Sequence, residues 1–259
     1  MFLRLGVLTI VLLSTGIIGV AIYLSRKGRL AVKIRRLAGL DAIDEAIGRA
    51  TEMGAKVHFT PGFHWSAGLA GDRAGDFMAG FAVLSYVAEL CAKYGTPLVT
   101  TLCKPEMVAL AEDITRSAYL KAGKSPEEIK PDVRFLSTMQ LAWAAGVLGV
   151  MARENVKANI MAGYFAAESL IFAETAFNLG AIQVAGCTEA IQLPFFVVTC
   201  DYTMIGEEVY AAGAYLSKDP VLQGSIRGQD IVKLIVMLLI VLGAVLETVG
   251  NRWLITFLG

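Results

Sequence analysis

The sequence predicts an open α/β fold with a mostly parallel sheet, Rossmann-like or flavodoxin-like, between two membrane-spanning helices. Long apolar runs lie near both ends of the 259-residue chain. Between them, short runs rich in β-branched residues alternate with segments of helical periodicity. Strands that alternate with helices of about ten to twenty residues pair in parallel through right-handed crossovers. No sequence repeat of about 20–50 residues indicates a solenoid.

The first apolar run, residues 5–24, has the length of a transmembrane helix. Its twenty residues carry no charge, and as a helix they extend about 30 Å, the thickness of a bilayer's hydrocarbon core. Six basic residues and no acid follow within residues 25–36, whereas only Arg4 precedes the run. Because basic flanks stay in the cytoplasm, we expect the N-terminus outside and the next segment inside. A cleaved signal peptide is the alternative, but its core would be shorter and its charges would come first.

The second apolar run, residues 231–250, is uncharged only from Leu234 to Leu246. We interpret it as a second span, since Lys233 can snorkel at one edge and Glu247 can lie near the other interface. A helix lying partly in the interface is the alternative. The predicted organisation is an anchor with a basic segment (1–36), a cytoplasmic α/β domain (37–230) and a second anchor (231–259), with both termini outside.

The central domain is acidic. From Leu37 to Asp230 there are 14 Lys and Arg against 22 Asp and Glu, a net charge of −8. This argues against nucleic-acid binding, which needs clustered basic residues. The expected partners are the lipid bilayer and further copies of the chain, with a small-molecule ligand as a further candidate. The four cysteines form no CxxC pair, so we expect reduced, buried thiols.

Six strands are expected, each a short apolar or β-branched run bounded by Gly, Pro or polar residues. They are KVHFT (56–60), PLVTTLC (97–103), DVRFLS (132–137), KANIMAGYF (157–165), AIQVAG (181–186) and QLPFFVVTCD (192–201). Pro194 lies near the start of the last run, where its missing N–H costs least.

Six helices are expected between and after these strands. They cover residues 40–54, 74–94, 105–122, 138–155, 166–180 and 204–217. Gly54 and Gly95 suit C-caps, and Pro105 suits a first turn. A polar connector, residues 217–230, leads to the second apolar run. The helices 138–152 and 166–179 carry long apolar stretches, with little polar face in 138–150 and 170–177, which predicts contacts with other subunits.

Ligands of open α/β sheets bind at the carboxyl ends of the strands. The candidate ligand-binding residues at these ends are Thr60, Gly62, Glu168, Thr188, Glu189 and Asp201. The GxGxxG, P-loop and GxSxG signatures are absent, so no catalytic residue is assigned. His58 is expected in the sheet and His64 in a loop.

Three of the candidates, Glu168, Glu189 and Asp201, follow predicted strands at one rim. Their oxygens could hold Mg²⁺ or another hard cation. The simpler interpretation is that Glu168 favours the positive end of its helix and that the other two cap turns. We therefore assign neither a metal nor a cofactor.

Several segments resemble a family of small prokaryotic membrane proteins known as a domain of unknown function. They are LDAIDEAIGRATEMG, VHFTPG, GYFAAESLIFAE, PFFVVTCDYTMIGEE, AGAYLSKDPVLQGS and GQDIVK. The resemblance extends from about residue 35 to 245. It implies an α/β domain between two membrane anchors and transfers no catalytic residue.

These observations favour a membrane-anchored scaffold that assembles with copies of itself. The alternatives are a membrane-tethered protein that binds a nucleotide or other small metabolite at the ends of the strands, and an enzyme that uses the carboxylate rim with a divalent cation.

Overall fold

A parallel sheet of six strands forms the centre of the computed structural model, which describes residues 5–29, 37–65, 71–125, 130–217 and 219–250. The strands are β1 (Lys56–Gly62), β2 (Leu98–Leu102), β3 (Asp132–Phe135), β4 (Val156–Tyr164), β5 (Ile182–Cys187) and β6 (Tyr202–Ile205). They lie in the order β3-β2-β1-β4-β5-β6. The chain runs outward from β1 to β3, returns to the centre at β4 and runs outward on the other side, which is the Rossmann order. The predicted α/β class is confirmed, and the order excludes the flavodoxin-like alternative.

Some predicted segments lie wholly or partly outside the described residues. They are residues 1–4 of the first anchor, with Arg4, residues 30–36 of the basic segment, residues 66–70 and 126–129 of two connections, Lys218, and residues 251–259.

The described helices divide between two units. They are α1 (Leu5–Arg26), α2 (Ala38–Glu52), α3 (Ala74–Tyr94), α4 (Val108–Lys121), α5 (Gln140–Arg153), α6 (Glu168–Asn178), α7 (Leu193–Thr199), α8 (Glu208–Ser217) and α9 (Pro220–Thr248). The sheet and its helices form one unit, residues 35–216, while α1 and α9 belong to the other. Within the α/β unit, α2, α3 and α4 form one layer, and α5, α6 and α7 form another.

The sixth strand does not lie where the sequence predicts it. The expected strand 192–201 is mostly the short helix α7, with Pro194 in its first turn, and β6 begins only at Tyr202. Phe196 is buried and packs edge-on against Phe165, with ring centroids 5.3 Å apart. The prediction is wrong because β-branched content favours a strand only weakly, and packing of this one aromatic side chain in a helix outweighs it. As a result, α8 begins at Glu208 rather than at residue 204.

The second unit is a pair of helices. The polar stretch 217–230 is helical from Pro220 onward, and Asp219 caps it by accepting a hydrogen bond from the Val221 amide at 2.7 Å. A Cβ added at Gly224 or Gly228 would lie 2.8 Å from the Cα of Ile22 or Ile18, respectively. The backbones of α1 and α9 therefore approach closely at two glycines one helical turn apart.

Three described helices are long and apolar enough to cross a membrane: Gly6–Arg26, Ala74–Tyr94 and Pro220–Thr248. The most apolar windows in α1 and α9 are 6% and 0% buried, whereas the window in α3 is 61% buried. The helix α3 thus belongs to the core of the α/β unit. The helices α1 and α9 leave their apolar surface without cover, which is typical of membrane segments.

Candidate functional site

The carboxyl ends of β1 and β4 meet at the centre of the sheet. From β1 the chain turns toward β2 and β3, whereas from β4 it turns toward β5 and β6, so the crossovers leave on opposite faces. Such a switch point is where open α/β sheets bind ligands. The residues that surround this point are the candidate site.

Arg73, immediately before α3, is the central charged residue here. Its guanidinium lies over the ring of Tyr164, 4.8 Å from the centroid, at the end of β4. It also lies 3.6 Å from Glu189 Oε2, beyond the end of β5, and 3.6 Å from Asp76 Oδ2 in the first turn of α3. Because one cation meets two carboxylates, these three charged groups together carry a net negative charge.

Tyr164 is held between several groups. The ring of His64 meets it edge-on at 4.8 Å, on the loop that follows β1. Burial, and then the negative charge of Glu189, raise the pKa of Tyr164, while Arg73 lowers it. The phenol therefore stays protonated at neutral pH and can donate a hydrogen bond to a ligand.

Asp76 is buried although it is acidic. Its Oδ1 accepts a hydrogen bond from the hydroxyl of Tyr210, on α8, and its Oδ2 has no hydrogen-bond partner. Burial and the bond to Asp76 raise the pKa of Tyr210. The position of Asp76 in the first turn of α3 stabilises its carboxylate through the helix dipole, and Arg73 adds an opposite charge.

Two of the predicted site residues, Thr188 and Glu189, lie at this edge beyond the end of β5. Glu189 faces Arg73 as described above, and its side chain is 22% exposed. Thr188 donates from its amide to the carbonyl oxygen of Gly163 at 3.1 Å, which ties the end of β5 to β4. Glu189 is thus the candidate that remains available to a ligand, while Thr188 has a structural contact.

Gly62 and Thr60 lie at the same edge but hold the strands together. Gly62 has a φ of +91°, and a Cβ there would lie 1.8 Å from the carbonyl oxygen of Tyr164. Only glycine allows this approach of β1 to β4. Thr60 is buried and donates to the carbonyl oxygen of Thr101 at 3.0 Å. Their contacts are therefore structural.

Deeper in the sheet, a row of buried polar side chains crosses four strands. The ring of His58 bonds to Thr101 on one side, at 2.8 Å, and to Asn159 on the other, at 2.7 Å. Asn159 in turn donates to Gln183. Burial lowers the pKa of His58 to about 4, so the ring is neutral at pH 7. The expectation that His58 is a sheet residue is confirmed.

Glu168 is fully buried at the start of α6. It accepts hydrogen bonds from the amide of Ala166, at 2.9 Å, and from the side chain of Gln140 on α5. Burial raises its pKa, and the two donors act in the opposite direction. Its oxygens thus join α5 to α6 beneath the surface.

Asp201 lies at the opposite edge of the sheet, and its prediction as a rim residue is wrong. It precedes β6, and its Oδ2 accepts a hydrogen bond from the Gln183 amide near the start of β5, at 2.8 Å. The error follows from the misplaced sixth strand. The carboxylates Glu168, Glu189 and Asp201 therefore do not form one cation site, and the described residues contain no group of three or more metal-ligating side chains.

The thiols take no part in the site. Cys91, Cys103 and Cys187 are buried, and Cys200 is half-buried. Burial raises the pKa of Cys187 to about 11 and that of Cys103 and Cys200 to about 12. At neutral pH these three side chains are protonated.

Sequence reasoning missed Arg73, Asp76, Tyr164 and Tyr210. Arg73 and Asp76 could have been identified from their position between the first strand and its helix, because this turn always lies at the carboxyl edge of the sheet. Tyr164 was placed inside a predicted strand ending at residue 165, one position too far. Tyr210 carries no signal, since its contact depends on how α8 packs.

Residues 2–258 match a family described as a domain of unknown function (DUF6754). A comparison with curated proteins found no match. A solved structure of a Mesorhizobium loti protein assigned as an NADPH:quinone reductase is 15% identical, with 78% of this chain and 53% of that chain covered and a TM-score of 0.32. The chain thus spans about half the length of that protein.

Proposed function

Since the chain belongs to the DUF6754 family, whose function is unknown, we propose a role from its own residues. It is a membrane-anchored protein that assembles with copies of itself through the outer surface of α5, α6 and α7.

The exposed residues of this layer carry the proposal. Large apolar side chains stand exposed on or beside each of its three helices. They are Met139, Leu141, Leu170, Phe177, Ile191, Phe195, Val197 and Val198. Val198 is 84% exposed and Leu141 is 69% exposed. An apolar surface of this extent is characteristic of a protein or membrane contact.

The helix α2, in the other layer of the α/β unit, provides the contrast. The exposed positions of α2 include Asp41, Asp44, Glu45, Arg49 and Glu52. This charged surface is that of a helix facing water. The outer surface of α2 is therefore suited to solvent, and the apolar surface of α5, α6 and α7 is suited to a partner.

Two anchors favour a second copy as that partner. Apolar helices at both ends of the chain would hold every copy in one plane with its α/β unit on one side of the membrane. Confinement raises the effective concentration of like surfaces and favours contacts around an axis normal to the membrane.

The experiment compares charged substitutions on the two layers in the full chain. In a mild detergent, light scattering should give an oligomeric mass for the unchanged protein. The variant Leu141→Glu/Val198→Glu should reduce this mass, because each carboxylate would have to be desolvated at the contact. The matched control Met53→Glu, at an exposed apolar residue after α2, should not. A monomeric unchanged protein at tens of micromolar would refute the proposal.

The orientation in the membrane is part of the proposal. The basic residues after α1 support an α/β unit in the cytoplasm and both termini outside. A membrane-impermeant thiol reagent applied to intact cells should label a cysteine added after Gly259 and should not label Lys124→Cys. The reverse pattern would refute this orientation.

A second candidate function is small-molecule binding at the switch point. The observation that favours it is the cluster of Arg73, Tyr164 and Glu189, whose groups can bond to a ligand with both donors and acceptors. Native mass spectrometry of the purified full chain should then reveal a bound nucleotide or other metabolite, and Glu189→Gln should reduce its occupancy. The same low occupancy in both proteins would count against this site.

A further inference from the structure

The packing of α1 on α9 determines which of their residues lie side by side. Gly224 lies against Ile22, and Gly228 lies against Ile18. Four residues forward along α9 therefore correspond to four residues backward along α1, so the two helices are antiparallel in this register.

This register brings three charged residues, Arg227, Asp230 and Lys233, beside the uncharged part of α1. Lys233 is level with Leu13 and already has an interaction partner. Asp230 lies two residues beyond Gly228, about 3 Å along the axis, and is thus level with Gly16. Arg227 is level with Gly19. Both positions lie within residues 5–24, which carry no charge. A bilayer that covers this run of α1 also covers Arg227 and Asp230.

The side chains of Arg227 and Asp230 are both exposed. Within the part of the chain that the structure describes, neither forms an ion pair. They are three residues apart, about 60° around the helix. Asp230 points away from the glycine face that contacts α1, and Arg227 lies at the side of that face. Charged groups at membrane depth normally pair with one another or face a polar interior.

We infer that Arg227 of one copy pairs with Asp230 of a second copy, and Asp230 with Arg227, in a contact between two α9 helices inside the membrane. The inference rests on the proposed self-association and identifies a second contact for it. Two copies around an axis normal to the membrane present parallel α9 helices. The offset between the two residues, about 4.5 Å, is within reach of an arginine side chain. The two ion pairs satisfy the charges of Arg227 and Asp230 in both copies with groups that the chain itself provides.

The experiment uses the full chain in a mild detergent and measures the dissociation constant of the assembly. Arg227→Asp places two acids on the contact, and Asp230→Arg places two bases there. Each single variant should weaken self-association about tenfold or more, because like charges meet across the contact. An equal mixture of the two variants, carrying different affinity tags, should form mixed assemblies at near the unchanged affinity.

The matched control is Gln229→Glu, which adds a charge to another side of α9 and should leave the affinity unchanged. Unchanged affinity in both single variants, or no recovery in the mixture, would overturn the inference while leaving the proposed function intact. An unchanged protein that is monomeric would overturn both. If Leu141→Glu/Val198→Glu has no effect but the exchanged charges do, the proposed surface fails and the membrane contact stands.

Discussion

Acidification should destabilise the folded protein through the buried ring of His58. The folded protein holds the pKa of this ring at about 4, against 6.5 for an exposed histidine. Between these values the unfolded chain binds a proton that the folded chain does not. The free energy of unfolding should therefore fall as the pH falls below about 6.5, and the loss should be complete below about 4.

The magnitude follows from the two pKa values. The whole shift corresponds to about 3 kcal/mol, of which about 2 kcal/mol is lost between pH 7 and pH 5. This is a large fraction of the stability of an ordinary domain. The size reflects burial, because the bonds of the ring to Thr101 and Asn159 do not offset desolvation of its charged form.

The assay is urea unfolding of the full chain in a mild detergent at pH 7 and pH 5. Fluorescence of Trp143 should report it, since this side chain is fully buried against Phe63 and Phe172. The variant His58→Gln can still donate and accept but does not titrate. Its free energy of unfolding should change by about 2 kcal/mol less than that of the unchanged protein between the two pH values. An equal change in both proteins would refute the reasoning.

Two further predictions concern close backbone contacts. Gly62→Ala should destabilise the α/β unit by at least about 2 kcal/mol in urea unfolding, because its Cβ would overlap the carbonyl oxygen of Tyr164. The control Gly48→Ala, inside α2 with open space around it, should instead stabilise the α/β unit by about 0.5–1 kcal/mol. A Gly62→Ala variant as stable as the unchanged protein would contradict this account. Gly228→Leu should lower the thermal midpoint of the full chain in detergent by forcing α9 away from α1, whereas Gly16→Leu, with no atom within 4 Å of its added Cβ, should not. Equal effects of the two leucines would show that the close packing is unimportant for stability.

The sequence reveals the alternation of elements better than their arrangement. Burial on both faces makes the inner strands mostly apolar and β-branched, so β1, β2, β4 and β5 are recognisable from composition despite their row of buried polar side chains. The strand order is not, since it depends on which distant segments pair. The run from Leu193 to Thr199 shows the same limit. Its β-branched residues suggest a strand, but the packing of Phe196 decides for a helix.

Prediction of the site depended on correct strand ends. Glu189 was found because it follows a correctly predicted strand, and Asp201 was misplaced because its strand was not. Arg73 lies far along the sequence from Glu189, and only the crossovers bring the two together. The contacts of Glu168 could not be predicted, because Gln140 approaches it from another helix.

The high pKa values of the native thiols make the chain suitable for site-specific chemistry. An exposed cysteine has a pKa of about 8.5. The pKa of about 11 for Cys187 then implies a roughly 300-fold smaller thiolate fraction at neutral pH. Cys103 and Cys200, with pKa values of about 12, are less reactive still. A single cysteine introduced on an exposed helix should therefore react with maleimides or spin labels well before these three, so labels can be attached to either layer or to α9 without first replacing them.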